Sequence, residues 1–471
     1  MNVKNLAIIG DYASIEFKEL SSVVSFTAKH YYNSGIDKGK FIAILADNSV
    51  EYVITVFALW KLGAVPVPIN TRLTEKEISD ILYSVNPHLI ICDNNFAGKI
   101  KSFASVKMQM FFEGEKCNKT IEQNPNDIAV IIYTSGSSGK PKGVMITNEN
   151  LYQSYLASTR EFKYSSADVF VASLPFYHIG GFAIINRMLL SGGTLVIPKS
   201  LKTAGIVEAM KQYNPSIISL VPTMLKRILE NNVSPNNNLR LLFLGGGPSD
   251  SKLIFSAIDA GYPVVKVYGS SETTAMVTFS IEKTLMENPA SAGKPFYGVT
   301  IKITDKQKNE LPADSVGEIA IKSSTIAKGY FNATKLWKNK IVNGFYYSGD
   351  YGYIDKSGLL FVLARRTDLI ISGGENINPL EIEEELLKHP AVKECVVFPV
   401  EDKEWGQVPV AAIVSVKKNI TETELREELK TKLASFKIPS KFLFVTEIPR
   451  SVLGKVKIEE LKKFLTDNKS L

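Results

Sequence analysis

Cysteine, histidine, tryptophan and arginine are all scarce in this chain of 471 residues. It has three cysteines, four histidines, three tryptophans and nine arginines against 46 lysines. Cys92, Cys117 and Cys395 are far apart, odd in number and never in a CxxC pair. That excludes a disulfide framework and a thiolate zinc site, and predicts buried thiols in a reducing cytoplasm. Four histidines also argue against a histidine-based metal centre. Long apolar runs are missing too. The best candidate, Val53–Trp60, stops at Lys61, well short of the ~18 residues of a membrane span. Leu6–Ile9, closed by Gly10 and Asp11, is too short for a signal-peptide core. No basic run is interleaved with aromatics, so nucleic acid is not an expected partner.

What is present is the balance of a globular protein: 45% hydrophobic and 22% charged residues. The length predicts two to four structural units. The net charge of +7 is unevenly spread. Residues 367–471 hold 16 basic and 18 acidic side chains, a net of −2, which leaves +9 on the rest. The excess biases the first part towards anionic ligands such as nucleotides; lysines that merely solubilise the surface are the plainer explanation.

Through the first half, short apolar runs alternate with helical patterns. Phe41–Ala46 and Leu89–Cys92 read as buried strands, with a helix over Val50–Leu62. Further strands are expected at Ala129–Tyr133, Val169–Leu174, Ile217–Val221, Leu241–Leu244 and Val264–Val267, and a helix at Thr203–Tyr213. Such alternation predicts an α/β fold with parallel or mixed sheets covered by helices. After about Gly293 the strands shorten and turn signals such as Asp355-Lys356-Ser357-Gly358 appear, which predicts a β-rich subdomain. A small α+β unit begins near Arg365, with an acidic helix (Pro379–Lys388), two strands and two charged helices ending at Leu465. The expected division is 1–366 and a mobile 367–471, with a hinge at Thr367.

The sharpest local signal is Tyr133-Thr134-Ser135-Gly136-Ser137-Ser138-Gly139-Lys140-Pro141-Lys142-Gly143, directly after an apolar strand. Its glycines allow close approach of the backbone, and its hydroxyls and N–H groups suit phosphate oxygens. It is not a Walker A loop, since two residues rather than four separate Gly136 and Gly139. Gly245-Gly246-Gly247-Pro248 follows a strand, where an α/β sheet places ligands. Tyr268-Gly269-Ser270-Ser271-Glu272-Thr273 offers an aromatic face, hydroxyls and a carboxylate. Ser348-Gly349-Asp350 puts a carboxylate at a turn, suited to sugar hydroxyls. Pro449-Arg450-Ser451-Val452-Leu453-Gly454-Lys455 presents one lysine from a glycine loop. Each segment alone is equally an ordinary turn; their joint occurrence in this order is what carries information.

Together they resemble the acyl-activating adenylate-forming superfamily of acyl-CoA synthetases, peptide-synthetase adenylation domains and luciferases. The resemblance spans nearly the whole chain. Tyr133 to Gly143 is similar to the signature YTSGTTGxPKG, with Ser137 and Ser138 for two threonines. Tyr268 to Glu272 resembles YGxTE, with Ser271 for threonine, and Tyr347 to Gly352 resembles a YxTGD-type motif. Ala364-Arg365-Arg366-Thr367-Asp368 is similar to the GRxxD hinge motif, with Ala364 for glycine, and it is followed by Gly373-Gly374-Glu375-Asn376-Ile377.

The resemblance implies two half-reactions. A carboxylate attacks the α-phosphate of ATP and releases pyrophosphate, and a thiol, coenzyme A, then displaces AMP from the acyl-adenylate. It implies that Lys455 bridges the substrate carboxylate and the α-phosphate. Glu272 with Thr134 would hold Mg2+, which prefers one or two protein oxygens plus substrate. Ser135, Gly136, Ser137, Ser138, Gly139 and Lys142 would cradle the outer phosphates. Tyr268, with Gly269 and Ser271 in the same motif, would stack on adenine, flanked by Gly245 and Gly246. Asp350 and Arg365 would hold the ribose. After rotation about the hinge, Gly373 and Gly374 would approach the thiol tunnel and Lys437 would meet a CoA phosphate, a plain surface lysine being the alternative. The implied partners are small molecules, ATP, CoA and a carboxylic acid; self-association into a homo-oligomer stays open.

Two residues bear on which acid is used. Within Pro175-Phe176-Tyr177-His178-Ile179-Gly180-Gly181-Phe182, His178 occupies the position of the family's gate between acyl pocket and thiol tunnel. Arg187 interrupts the apolar stretch Phe182–Leu190. A buried guanidinium costs several kcal/mol unless an anion or carbonyls answer it. An internal salt bridge, a snorkelling side chain or a second substrate carboxylate meets that need. A basic residue nine after the histidine resembles CoA ligases of menaquinone biosynthesis that activate an aromatic diacid. A fatty or cinnamate-like acid, or a carrier protein as acceptor, remains the alternative.

Overall fold

The computed structural model describes residues 5–119, 121–122, 124–134, 141–247, 249, 251–364, 370–416, 420–449 and 456–467. The chain divides into two compact units. One comprises Met1–Thr71, Leu82–Tyr133 and Lys142–Arg365; the other comprises Arg72–Ile81, Thr134–Pro141 and Arg366–Leu471.

In the first unit, a nine-stranded sheet has a parallel centre. Leu6–Ile9, Thr194–Val196, Val169–Val171, Ile217–Leu220, Leu241–Leu244 and Val264–Tyr268 lie side by side in that order and run the same way. Ser14–Glu16 at one edge and Thr278–Ser280 with Lys294–Pro295 at the other are antiparallel. The central strands read as unbroken apolar runs because both faces are covered. Side chains alternate across a strand. Ile217, Leu241, Phe243 and Val265 therefore enter one core cluster, and Ile218, Leu220, Leu242, Leu244 and Val264 enter another.

A second, wholly parallel sheet joins Val65–Pro68, Phe41–Leu45, Leu89–Cys92 and Ser105–Lys107. The helix Val50–Lys61 is buried nearly all round, and Ser49 caps it by accepting from the Tyr52 N–H at 3.1 Å. A three-stranded sheet pairs Ile128–Thr134, Lys142–Thr147 and Gly329–Tyr330. Beyond Gly293 the expected β-rich subdomain is an antiparallel sheet built around Phe345–Ile354. Its turn before Leu360–Ala364 is closed by Asp355 Oδ1, which accepts from the Ser357 N–H at 2.9 Å.

The second unit has more strand than expected. Ile370–Ser372, Glu375–Ile377, Val392–Asp402, Gly406–Ser415 and Lys441–Phe444 form one sheet, where two strands were anticipated. The two three-residue strands flanking Gly373-Gly374 are too short to show a period of two in sequence. Its helices cover Pro379–Leu387, Glu422–Lys430 and Ile458–Asp467. The strand expected over Val169–Leu174 stops at Val171, because the Ser173 N–H turns back to the Val171 carbonyl at 2.9 Å. Among the described residues no helix is long and apolar enough to cross a membrane.

Candidate active site

Parallel strands deliver their following loops to one edge of the sheet. Gly245-Gly246 follows Leu241–Leu244, and Gly269 to Glu272 follows its neighbour Val264–Tyr268. Gly246 has φ +77°, a left-handed conformation that costs other residues. At Gly269 a Cβ would lie 1.6 Å from the Ala275 carbonyl oxygen, so only glycine lets that turn close.

Residues far apart in sequence meet here. The Tyr268 hydroxyl donates to Asp350 Oδ2 at 2.7 Å. The Asp350 N–H in turn donates to Ser348 Oγ at 3.0 Å. An aromatic face and a carboxylate thus form one group. Ser271 opens the short turn Ser271–Thr273, which carries Glu272.

Glu272 Oε1 accepts from the Tyr330 hydroxyl at 2.7 Å. Burial, then the Glu272 charge, push the Tyr330 phenol far above its ordinary value, so it is a donor. No described lysine, arginine or histidine forms an ion pair with Glu272. Lys142 is buried, and its ammonium lies 5.7 Å over the Tyr330 ring. A cation and a carboxylate therefore flank one phenol without neutralising each other directly. A half-buried hard-oxygen donor with uncancelled charge suits Mg2+. Among the described residues no cluster of three or more His, Cys, Asp or Glu side chains could hold a metal. Thr134 ends the strand Ile128–Thr134 and is half-buried. Ser135, Gly136, Ser137, Ser138, Gly139, Arg365 and Lys455 lie outside the described residues, as does Thr367, where a hinge was expected.

His178 is the N-cap residue of the helix Ile179–Ser191, half-buried and edge-on to Tyr177 with ring centroids 4.8 Å apart. Arg187 lies on the same helix and is only 4% exposed. Its Nη2 is buried without a hydrogen-bond partner, and no described carboxylate pairs with it. The neighbours are the Phe243 ring, 5.8 Å from the guanidinium carbon, and Tyr164. Burial pulls the guanidinium's pKa down, which Tyr164 only partly offsets. The internal partner that sequence left open is thus not found among the described residues. Phe243, Tyr164 and Tyr330 were missed in sequence. Phe243 and Tyr164 look like ordinary core aromatics there, and Tyr330 has no motif of its own.

In the second unit, Gly373 and Gly374 make the turn between Ile370–Ser372 and Glu375–Ile377, and the Gly373 N–H donates to the Trp405 carbonyl at 2.8 Å. Lys437 is buried rather than a surface lysine, and its ammonium is held by Glu77 and by Glu381 at 2.8 Å. Burial pulls its pKa down, but the Glu381 and Glu77 charges outweigh that and the net is upward. The three cysteines are free and buried. Burial raises Cys92 to about 11 and Cys395 to about 12, which leaves both as unreactive thiols.

A separate cavity of about 570 Å3 in the first unit is lined by Phe17, Phe57, Trp60 and Leu189 among others. None of the candidate residues above lines it.

The family described as AMP-binding enzyme matches residues 2–331, and the AMP-binding enzyme C-terminal domain matches residues 381–455. A 2-succinylbenzoate–CoA ligase of Bacillus cereus is 35% identical over 463 residues, covering 96% of this chain and 94% of its own. Among solved structures, a double mutant of o-succinylbenzoate CoA synthetase from Bacillus subtilis, bound with its product analogue OSB-NCoA, is 32% identical with a TM-score of 0.92. The match covers 98% of this chain and 96% of that one. The Bacillus subtilis enzyme in complex with ATP and magnesium ion matches at 32% identity and TM-score 0.73, over 98% and 97% of the two chains.

Proposed function

The chain belongs to the AMP-binding enzyme family, and from that premise we propose that it activates 2-succinylbenzoate with ATP and passes the acyl group to coenzyme A. One observation carries the choice of a diacid: Arg187 is buried with no anion to answer it among the described residues. A second carboxylate on the substrate supplies that anion. The relatives named for this acid support the same reading.

In the first step a carboxylate oxygen forms a bond to the α-phosphorus and the bond to pyrophosphate breaks. The difficulty is bringing two anions together while charge builds on phosphate, which positioned cations and N–H donors relieve. Lys455 neutralises the carboxylate and the α-phosphate. Lys142, with Ser135 to Gly139, binds the outer phosphates. Magnesium, when bound, draws charge from the phosphate oxygens, and Glu272 with Thr134 would hold it. Tyr268 stacks on adenine beside Gly245 and Gly246, and its hydrogen bond to Asp350 sets that carboxylate for the ribose, with Arg365 as the second ribose contact. In the second step the thiol of CoA attacks the acyl carbon and AMP leaves. His178 gates the thiol's approach, and Gly373, Gly374 and Lys437 belong to the CoA side. A phosphate would have to draw Lys437 from Glu77 and Glu381. The domain reading follows the chemistry: 1–366 binds the nucleotide and acid, and 367–471 presents Lys455 or the CoA residues. The buried free thiols support a cytoplasmic site of action.

The test is ATP-dependent pyrophosphate release with 2-succinylbenzoate, coumarate, benzoate and fatty acids of several lengths, each with and without CoA. CoA-stimulated turnover on 2-succinylbenzoate alone is expected. Preference for a monocarboxylate would leave the family intact and remove the diacid reading.

A further inference from the structure

We propose that Tyr330 is the positioning residue for Glu272: its phenol fixes one carboxylate oxygen and leaves the charge and the second oxygen to the magnesium ion that accompanies ATP. The inference rests on the reading of Glu272 as the metal ligand.

The contact is short and the donor cannot wander. The Tyr330 hydroxyl lies 2.7 Å from Glu272 Oε1, and Tyr330 is 2% exposed. Its ring stands edge-on to Trp337 at 5.1 Å, and Trp337 stacks on the buried Tyr346 at 5.5 Å. The backbone is fixed as well. Tyr330 pairs with Val144 in the strand that Lys142 begins. Three residues before Tyr330, the Ala327 N–H donates to the Glu272 carbonyl at 2.8 Å. Donor and acceptor are therefore locked in one frame, although 58 residues separate them.

The chemistry of the donor matters as much as its place. A lysine or arginine in that position would orient Glu272 but cancel the charge that a divalent cation needs. A neutral phenol orients without cancelling. The nearby cation, Lys142, sits on the ring's face rather than on the carboxylate, so the negative charge stays unspent. A free carboxylate would lose rotamer freedom on binding metal; one already held loses less.

Tyr330→Phe removes one hydroxyl and keeps the ring packing. The direct readout is calorimetric binding of ATP with and without Mg2+, in the absence of any acid and hence of turnover. Losing a hydrogen bond to a charged group should weaken the Mg2+-dependent part of ATP binding about 10- to 100-fold, with metal-free ATP binding unchanged. Glu272→Gln should weaken it at least as much, and the double variant should be no worse than Glu272→Gln alone. If Tyr330→Phe binds ATP with wild-type Mg2+ dependence while Glu272→Gln does not, Tyr330 is a core residue only and the inference is overturned. If Glu272→Gln itself keeps the Mg2+ dependence, the metal reading of Glu272 falls, and the inference falls with it.

Discussion

Replacing Arg187 by methionine should move activity and stability in opposite directions. Methionine is long, unbranched and adaptable enough to occupy the space of the arginine stem. If the guanidinium receives a substrate carboxylate, its loss removes charge-assisted hydrogen bonds of ~1.5–3 kcal/mol. That is roughly a 10- to 150-fold fall in kcat/KM for 2-succinylbenzoate. Benzoate, with no second carboxylate, should be nearly indifferent to the change. In the ligand-free enzyme the sign reverses. Arg187 is 4% exposed and has no described carboxylate to compensate its desolvation, so an apolar side chain of similar size should stabilise the fold by about 1–4 kcal/mol. Pyrophosphate release at subsaturating acid gives the first quantity, and thermal melting in the same buffer gives the second. Adding the diacid should raise the melting temperature of the wild type more than that of the variant. An unchanged ratio between the two acids, or a variant that melts lower, would refute the reasoning and return Arg187 to the structural framework.

Lys455→Ala should abolish adenylate formation yet largely spare thioester formation from a supplied acyl-adenylate; equal loss in both half-reactions would remove its assigned role. Lys266 gives a pH test that does not involve the site chemistry. Burial pulls its pKa from 10.5 down to about 8, and its ammonium donates to the carbonyls of Pro289 and Ala290. Between those two pH values the unfolded chain holds a proton that the folded chain has lost, so folded stability rises with pH across the window. Lys266→Met lacks that gain. Its stability relative to wild type should therefore fall by up to about 3 kcal/mol between pH 7 and 10.5, and denaturant titrations showing a pH-independent difference would contradict the assignment.

Much of the frame was legible because it follows from local patterns. Ile217–Leu220 and Leu241–Leu244 are buried on both faces, and such strands announce themselves as apolar runs between turn residues. The motif segments were legible for the same reason: Gly269 must be glycine because Ala275 closes on it. What sequence concealed were pairings made by topology. Nothing local links Tyr268 to Asp350 or Tyr330 to Glu272, separations of 82 and 58 residues. The pairing of Gly329–Tyr330 with the strand Lys142–Thr147 creates the second contact, and a two-residue strand carries no periodicity to read. The burial of Lys437 was hidden for a related reason. Glu77 lies 360 residues away, so its partner could not be seen from Phe436-Lys437-Ile438-Pro439.

Three charged groups of the first unit, Asp168, Arg187 and Glu272, show a contrast that bears on the site. Asp168 is 3% exposed and completely answered. It accepts from Arg240 at 2.8 and 2.7 Å, from the Ser216 hydroxyl at 2.8 Å and from the Ser165 N–H at 2.9 Å. Burial alone would raise its pKa, but these partners outweigh it and the net is downward. A carboxylate so satisfied holds structure and has nothing left for a ligand. Arg187 and Glu272 are the reverse case. Among the described residues one has no anion and the other has only a neutral donor, and both belong to segments that follow strands of the parallel sheet. A buried or half-buried charge without an opposite charge, set at the end of a parallel strand, is a candidate for ligand binding. A cation and a carboxylate left without an opposite charge among the described residues fit the proposed ligand set, in which a diacid brings a carboxylate and ATP brings a metal-bound phosphate.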